Sequence, residues 1–345
     1  MKPLISVIIP CCNTAQYIEQ CVESVFAQKG CETEIILIDD NSTDNTHKIL
    51  EGFKSTRNSK VKVFSHSRNM GVSAARNMGI KYSTKKFILF MDSDDNIGYS
   101  GRDSVYDDQY LAKLLEKMNS DKSVGMVAGS MVKQKFCLDG KGQIYTPASW
   151  NAFMHNYSWY SDATEDNLVW QDQDISACNR LYRTALIQRA HLSFNEKLTY
   201  FEDIAFVFNY LISIRQQYPR LCYTPDAIYV YRERPDSAIN KMDSAETAIR
   251  TLEFVRNRIY YYAYALQNIN EVFGHKSKIY NIFAKRFADG SKLVERNRRK
   301  NPVLFNTLSE YIPNNCVECQ HEYCTGCQNK KWLTQSINKA ISLIR

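Results

Sequence analysis

Four short β-rich runs, Leu4–Ile9, EIILIDD from Glu34, VKVF from Val61 and KFILFM from Lys86, alternate with helical patterns over roughly the first 95 residues. Strands and helices alternating at this spacing form right-handed βαβ units, and the product is a parallel sheet. The first, second and fourth runs are apolar almost throughout, so both faces of the sheet must be covered. The intervening segments supply the cover. Ile18, Cys21, Val22 and Val25 share one helical face, and Ile49, Leu50 and Phe53 share another. Asn13 or Thr14 is placed to cap the first helix and Ser42 the second.

In open sheets of this kind, ligands bind outside the carboxyl ends of the strands. Three strands end there in polar clusters: Pro10-Cys11-Cys12-Asn13, Asp39-Asp40-Asn41-Ser42 and Asp92-Ser93-Asp94-Asp95. The three should converge on one crevice. Carboxylates as crowded as Asp92, Asp94 and Asp95 repel one another unless a cation sits among them. Oxygen-only ligands suit Mg²⁺ or Mn²⁺, with water and phosphate oxygens completing the shell. A nucleoside diphosphate leaving group is a natural occupant; an acidic turn after a strand is the plainer alternative. An aspartate-nucleophile phosphatase would use the first strand and carry Thr or Val where Asn96 stands, and this chain does neither.

Five segments in order carry a resemblance: SVIIPCCNTAQYIEQCVESVFAQ, EIILIDDNSTDNT, NMGVSAARNMGI, FILFMDSDD and FEDIAFVFNY. Together they are similar to the motif set of family 2 glycosyltransferases of the GT-A fold, of the type that serves bacterial cell-surface polysaccharides. The match spans residues 1 to about 240. It implies a GT-A-like (Rossmann-like) α/β fold with a mixed, mostly parallel sheet flanked by helices. Residues 1–100 would form the nucleotide-binding half, 101–240 the acceptor half, and 241–345 a helical C-terminal appendage.

The resemblance further implies an inverting, metal-dependent transfer of a hexosyl or N-acetylhexosaminyl group. The sugar would pass from a nucleotide-diphosphate donor, a UDP-sugar, to a saccharide or lipid-linked glycan. It assigns the nucleobase to Pro10, Cys12, Asn13 and Asp40, with Asp40 suited to accept the uracil imide N–H. The family's first motif usually has Tyr where this chain has Cys12, so a base-stacking ring is missing. Asp92 and Asp94 correspond to the ribose and metal contacts and Asp95 to the ion, so the metal set is Asp94 and Asp95. Arg76, after Gly71, is placed to approach the donor. Arg232 and Arg234 resemble a Tyr-Arg-x-Arg segment whose guanidiniums match phosphate geometry.

The catalytic base would be Asp203, with Glu202 orienting the acceptor. A helix N-terminus lowers a carboxylate pKa, so Asp203 is expected to be ionised. Trp150, Trp159 and Trp170 are candidates to stack on sugar faces. Two rivals stand beside this reading. A nucleotidyltransferase would need a Gly-rich, basic loop after the first strand, where PCCNTAQYIEQ has neither; the other rival is a non-catalytic nucleotide-sugar-binding protein.

Cys316, Cys319, Cys324 and Cys327 have paired spacing suited to a structural Zn²⁺ site, although the central gap is short; unligated thiols are the equal alternative. The remaining seven cysteines are scattered, as expected of small buried hydrophobes in a reducing compartment. The net charge of +7 comes mostly from beyond residue 270. There Leu333, Ile337, Ala340, Ile341 and Ile344 share a helical face flanked by Lys330, Lys331, Lys339 and Arg345. Such a basic amphipathic helix can pack on the domain or lie peripherally on an anionic membrane. A partner nucleic acid is not expected. No apolar run reaches about 18 residues and the amino terminus lacks a cleavage site, so a cytoplasmic protein is expected, in peripheral contact with the membrane's inner face at most.

Overall fold

The computed structural model describes residues 4–57, 59–98, 107–135, 144–145, 160–162 and 176–233, together with scattered positions between 257 and 285. The first strand, β1 (Ile5–Cys11), is buried along its whole length, as its apolar run requires. Helix α1 (Ile18–Phe26) lays Ile18, Cys21, Val22 and Val25 against the sheet. There follow β2 (Thr33–Asp39), α2 (Thr46–Thr56), β3 (Val61–Ser65), α3 (Val72–Tyr82) and β4 (Phe87–Phe90). These are the βαβ units expected from the periodicity.

The second half is less regular. It comprises β5 (Asn96–Ile97), α4 (Tyr110–Ser120), β6 (Val124–Lys135), β7 (Ile144–Tyr145), β8 (Tyr160–Asp162) and β9 (Arg180–Arg183). After these come α5 (Thr184–Arg189), α6 (Glu202–Ile214) and β10 (Arg220–Glu233). All strands join one sheet in the order β3-β2-β1-β4-β9-β6-β10-β5, with β7 on β6 and β8 on β10. β1, β2, β3 and β4 are mutually parallel, and β6 and β10 are parallel to each other. The antiparallel β9 is inserted between β4 and β6, so both of its neighbours run the same way. The sheet is therefore mixed and mostly parallel, as anticipated.

Close packing fixes α3 on the sheet. A Cβ on Gly79 would lie 2.2 Å from Ile8 Cγ2, so only glycine lets the helix approach this near. Farther along, Phe90, Tyr182, Phe194 and Phe206 form an aromatic layer, with Phe194 and Phe206 stacked at 4.1 Å and 3°. That layer seats α6 beside the end of β4. Beyond β10, Asn257, Tyr261, Tyr262, Ala265, Ile269 and Phe283 are buried against the same body. No helix among the described residues is long and apolar enough to cross a membrane.

The two expected side-chain caps are replaced by other bonds. Ile18 N–H bonds to the Thr14 carbonyl, and Asp44 rather than Ser42 receives the Thr46 N–H at the start of α2. Asn13 and Ser42 are used instead to tie the two strand-end loops to each other.

Candidate active site

The carboxyl edge is built loop upon loop. Asn13 and Asn41 both take left-handed backbone, φ 53° and 58°, where Asn is the side chain best able to follow glycine. Asn13 N–H donates to Ser42 Oγ at 3.0 Å, and Asn13 Oδ1 accepts the Thr43 N–H at 2.8 Å. The loop after β1 is thus latched to the loop after β2. Pro10 is buried in register with Ile38, and Cys12 is half-buried, its sulfur accepting from Asn69 Nδ2 at 3.2 Å.

Asp40 is buried and heavily engaged. Its Oδ1 accepts the Met70 N–H at 2.8 Å and lies 2.6 Å from His66 Nδ1, while Oδ2 accepts the Gly71 N–H at 2.7 Å. It therefore shapes the entry to α3, where Gly71 stands at φ 88°. Asp39 is turned to Ser42 N–H and to His47, each at 3.0 Å. His66 and His47 were not singled out in the sequence. The available signal was position: His66 directly follows β3 at the same edge as the acidic clusters.

The three carboxylates after β4 separate in space. Asp95 is 1% exposed; Tyr229 donates its hydroxyl to Oδ2 at 2.7 Å and Arg232 its N–H to Oδ1 at 2.9 Å. Burial, then the charges of Asp94 and Asp92, push its carboxyl well above the usual range. Asp95 faces inward and fastens the loop to β10. Asp92 and Asp94 are half-buried. Asp92 Oδ1 accepts from the Arg76 guanidinium at 2.9 Å. Arg232 is also buried, its guanidinium on Gln20 Oε1 at 2.9 Å and over the Tyr17 ring at 5.3 Å. Arg234 lies outside the described residues, as do Cys316, Cys319, Cys324 and Cys327, the three tryptophans and the C-terminal basic helix.

Arg76 joins the loop after β4 to the start of α6. Its other arm donates to Glu202 Oε1 at 3.1 Å, and the guanidinium lies 5.2 Å over the Phe194 ring. Burial works against its charge, and Asp92 and Glu202 more than restore it. Glu202 and Asp203 occupy the first turn of α6, entered through Phe201 at φ 69°, ψ 8°. An aromatic residue in left-handed backbone costs of order 1–3 kcal/mol and persists only where its surroundings impose it. Burial, then Asp203, push the Glu202 carboxyl up to about 7, with Arg76 pulling the other way. Burial also raises Asp203, against Arg76 and the Ile204 N–H. The expected lowering at a helix N-terminus is thus reversed, because desolvation outweighs the terminal dipole.

Among the described residues no group of three or more His, Cys, Asp or Glu side chains is placed to hold a metal ion. A hard divalent ion held by one or two carboxylates and completed by phosphate and water needs no such group. With Asp95 turned inward, Asp94 and Asp92 are the oxygen donors that fit that pattern.

The family model described as Glycosyl transferase family 2 matches residues 6–190. The uncharacterized glycosyltransferase EpsJ of Bacillus subtilis (strain 168) is 29% identical over 241 residues, covering 69% of this chain and 63% of that protein. The teichoic acid poly(glycerol phosphate) polymerase of Staphylococcus epidermidis is 23% identical over 207 residues, covering 60% of this chain and 26% of that one. The chain therefore spans less than two thirds of either relative. Among solved structures, S. aureus TarS 1-349 in complex with UDP-GlcNAc matches with a TM-score of 0.60 and 18% identity, covering 99% of this chain and 89% of that chain. At that identity the likeness establishes the fold.

Proposed function

The chain belongs to glycosyl transferase family 2, and on that premise we propose that it transfers a sugar from a UDP-sugar, with inversion, to a saccharide or lipid-linked glycan of a bacterial surface polymer. The observation that carries this reading is the single guanidinium of Arg76, which draws the acidic loop after β4 and the carboxylate pair opening α6 into one site. Donor-side and acceptor-side chemistry then meet where sugar transfer needs them.

In this reading Asp203 takes the proton from the acceptor hydroxyl, and Glu202 orients that acceptor. A carboxylate raised by burial accepts a proton more readily than one at its ordinary pKa, which suits a general base near neutral pH. Asp94, with Asp92 beside it, would hold Mg²⁺ or Mn²⁺. When bound, the ion would neutralise charge on the departing diphosphate as a Lewis acid. Asp95 serves by holding the loop in place.

Uridine is favoured because TarS is seen with UDP-GlcNAc. A surface-polymer setting is supported by the teichoic acid polymerase among the relatives.

The test is Asp203→Asn, assayed on the UDP-sugar that the unaltered chain turns over. Turnover should fall by about 100-fold or more, the usual contribution of a general base, with UDP affinity unchanged. Unaltered turnover would remove Asp203 from this role.

A further inference from the structure

The left-handed Phe201 points to a contributor outside the expected catalytic segment. Its backbone angles set the direction in which α6 starts, and so where Glu202 and Asp203 point. Something must impose that conformation on an aromatic residue. Among the described residues, two contacts from beyond β10 bear on it. Asn257 Oδ1 accepts the Thr199 N–H at 3.1 Å, fixing the chain two residues before the turn. The Tyr261 ring stacks on Phe201, with centroids 6.1 Å apart and planes 7° from parallel, an offset pairing of the favoured kind.

Asn257 and Tyr261 are both helical positions, one turn apart, and each is 1% exposed. Phe283 packs against Tyr261, with its ring 6.3 Å from Tyr261 and 5.2 Å from Phe208 of α6. The Tyr261 hydroxyl is buried and has no hydrogen-bond partner among the described residues. The ring, not the hydroxyl, is therefore what this position supplies.

We propose that Asn257 and Tyr261 are positioning residues of the catalytic centre, clamping Phe201 in left-handed backbone so that Asp203 is aimed at the acceptor hydroxyl. The proposal rests on Asp203 being the base. It makes the segment after residue 240 part of the transfer apparatus, where an appendage was expected.

The experiment compares Tyr261→Leu, Tyr261→Phe and Asn257→Ala in the full chain. Two quantities are measured: kcat for hydrolysis of the accepted UDP-sugar, and Kd for UDP with Mn²⁺. Displacing a reacting group by about 1 Å can cost 100-fold. Tyr261→Leu and Asn257→Ala should accordingly lose about 10- to 100-fold in kcat, with UDP affinity within about twofold of the unaltered chain. Tyr261→Phe keeps the ring and discards an unpaired hydroxyl, so it should retain kcat within about twofold.

Phe201→Leu combined with Tyr261→Leu should cost no more than either alone, because both remove one contact. Should Tyr261→Leu fail to fold, as judged by lost UDP binding, Asn257→Ala gives the same reading through a different bond. Unchanged kcat in the variants that fold overturns the proposal. So does a fall in UDP affinity that matches the fall in kcat, which would mark a general loss of structure. Asp203→Asn assayed in parallel separates the two readings. If it abolishes turnover while the clamp variants do not, the base stands and the clamp falls; if it leaves turnover intact, the base assignment is what failed.

Discussion

Replacing Glu202 by Gln should stabilise the protein, and only above acidic pH. Glu202 sits in the first turn of α6 with 12% of its side chain exposed, beside Asp203, and burial with that neighbour pushes its carboxyl up to about 7 from an ordinary 4.5. A carboxyl whose folded pKa is raised favours folding below the unfolded value, and this contribution is lost as pH rises through the folded value. The displacement is worth about 3 kcal/mol at 1.36 kcal/mol per pH unit. Gln occupies the same space, keeps an oxygen for the Arg76 N–H and cannot ionise. Glu202→Gln and the unaltered chain should therefore melt together near pH 4. They should diverge between about pH 4.5 and 7 and stay apart by about 3 kcal/mol above that. Such a difference corresponds to roughly 5 °C or more in Tm. Because Asp203 lies alongside, the protons leave in steps that belong to the pair, so the divergence is spread over the window. Thermal melts of both proteins at half-unit pH intervals measure it. Parallel curves, or a Glu202→Gln protein less stable at pH 8, would refute the idea that this carboxylate is held against its solvation preference.

Four further outcomes follow from other parts of the molecule. Gly79→Ala should lose about 1–2 kcal/mol in urea unfolding, since overpacking against Ile8 outweighs the gain in helix propensity. Asp94→Ala should abolish the Mn²⁺-dependent stabilisation by UDP. Asp95→Ala should instead cost about 2–4 kcal/mol, because Tyr229 and the Arg232 N–H lose a buried acceptor. Glu34→Gln should cost about 2 kcal/mol at pH 7. Burial pushes the Glu34 carboxyl up, but bonds from Ser6, Lys62 and Thr84 outweigh it and hold it below the ordinary range. That stability is present above the ordinary carboxylate pKa and is lost as pH falls through the depressed value, so the gap should close on the acid side of the ordinary carboxylate range. Lys62 is 39% exposed and its share is small.

The first half of the fold was legible because local rules decide it. Burial on both faces of β1 and β2 demands continuous apolar runs, and α1 needs only a helical stripe, so periodicity identifies them. β9 was missed for a local reason as well. Its sequence RLYR is bounded by arginines, and nothing in four such residues announces a strand between β4 and β6. The caps failed more instructively. Asn13 and Ser42 are good helix-capping residues, but a bond between them closes the crevice wall, and that longer-range use won. Phe201 at φ 69° gave no warning, since no sequence rule places an aromatic residue in left-handed backbone.

The division of labour among Asp92, Asp94 and Asp95 shows where sequence reasoning must stop. Three identical side chains within four positions carry no internal mark of which faces solvent. What separates them is supplied from far along the chain: Tyr229, 134 residues away, and Arg232, 137 away, draw Asp95 inward. Arg76 claims Asp92 with one arm and, with the other, Glu202 at a separation of 126 residues. The Asp95 bonds exist because β5, directly after it, pairs with β10, and the Glu202 bond because the aromatic layer seats α6 beside the end of β4. The same geometry explains how so many carboxylates are tolerated in one crevice. Burial pushes the Asp95 carboxyl well above the usual range, and Asp92 and Glu202 share one guanidinium. That leaves Asp94 and Asp203 as the two positions to which the proposed chemistry assigns a cation and a proton. A variant lacking Arg76 would upset all of these at once, which is why the narrower substitutions at Glu202, Asp94 and Asp203 separate the roles better.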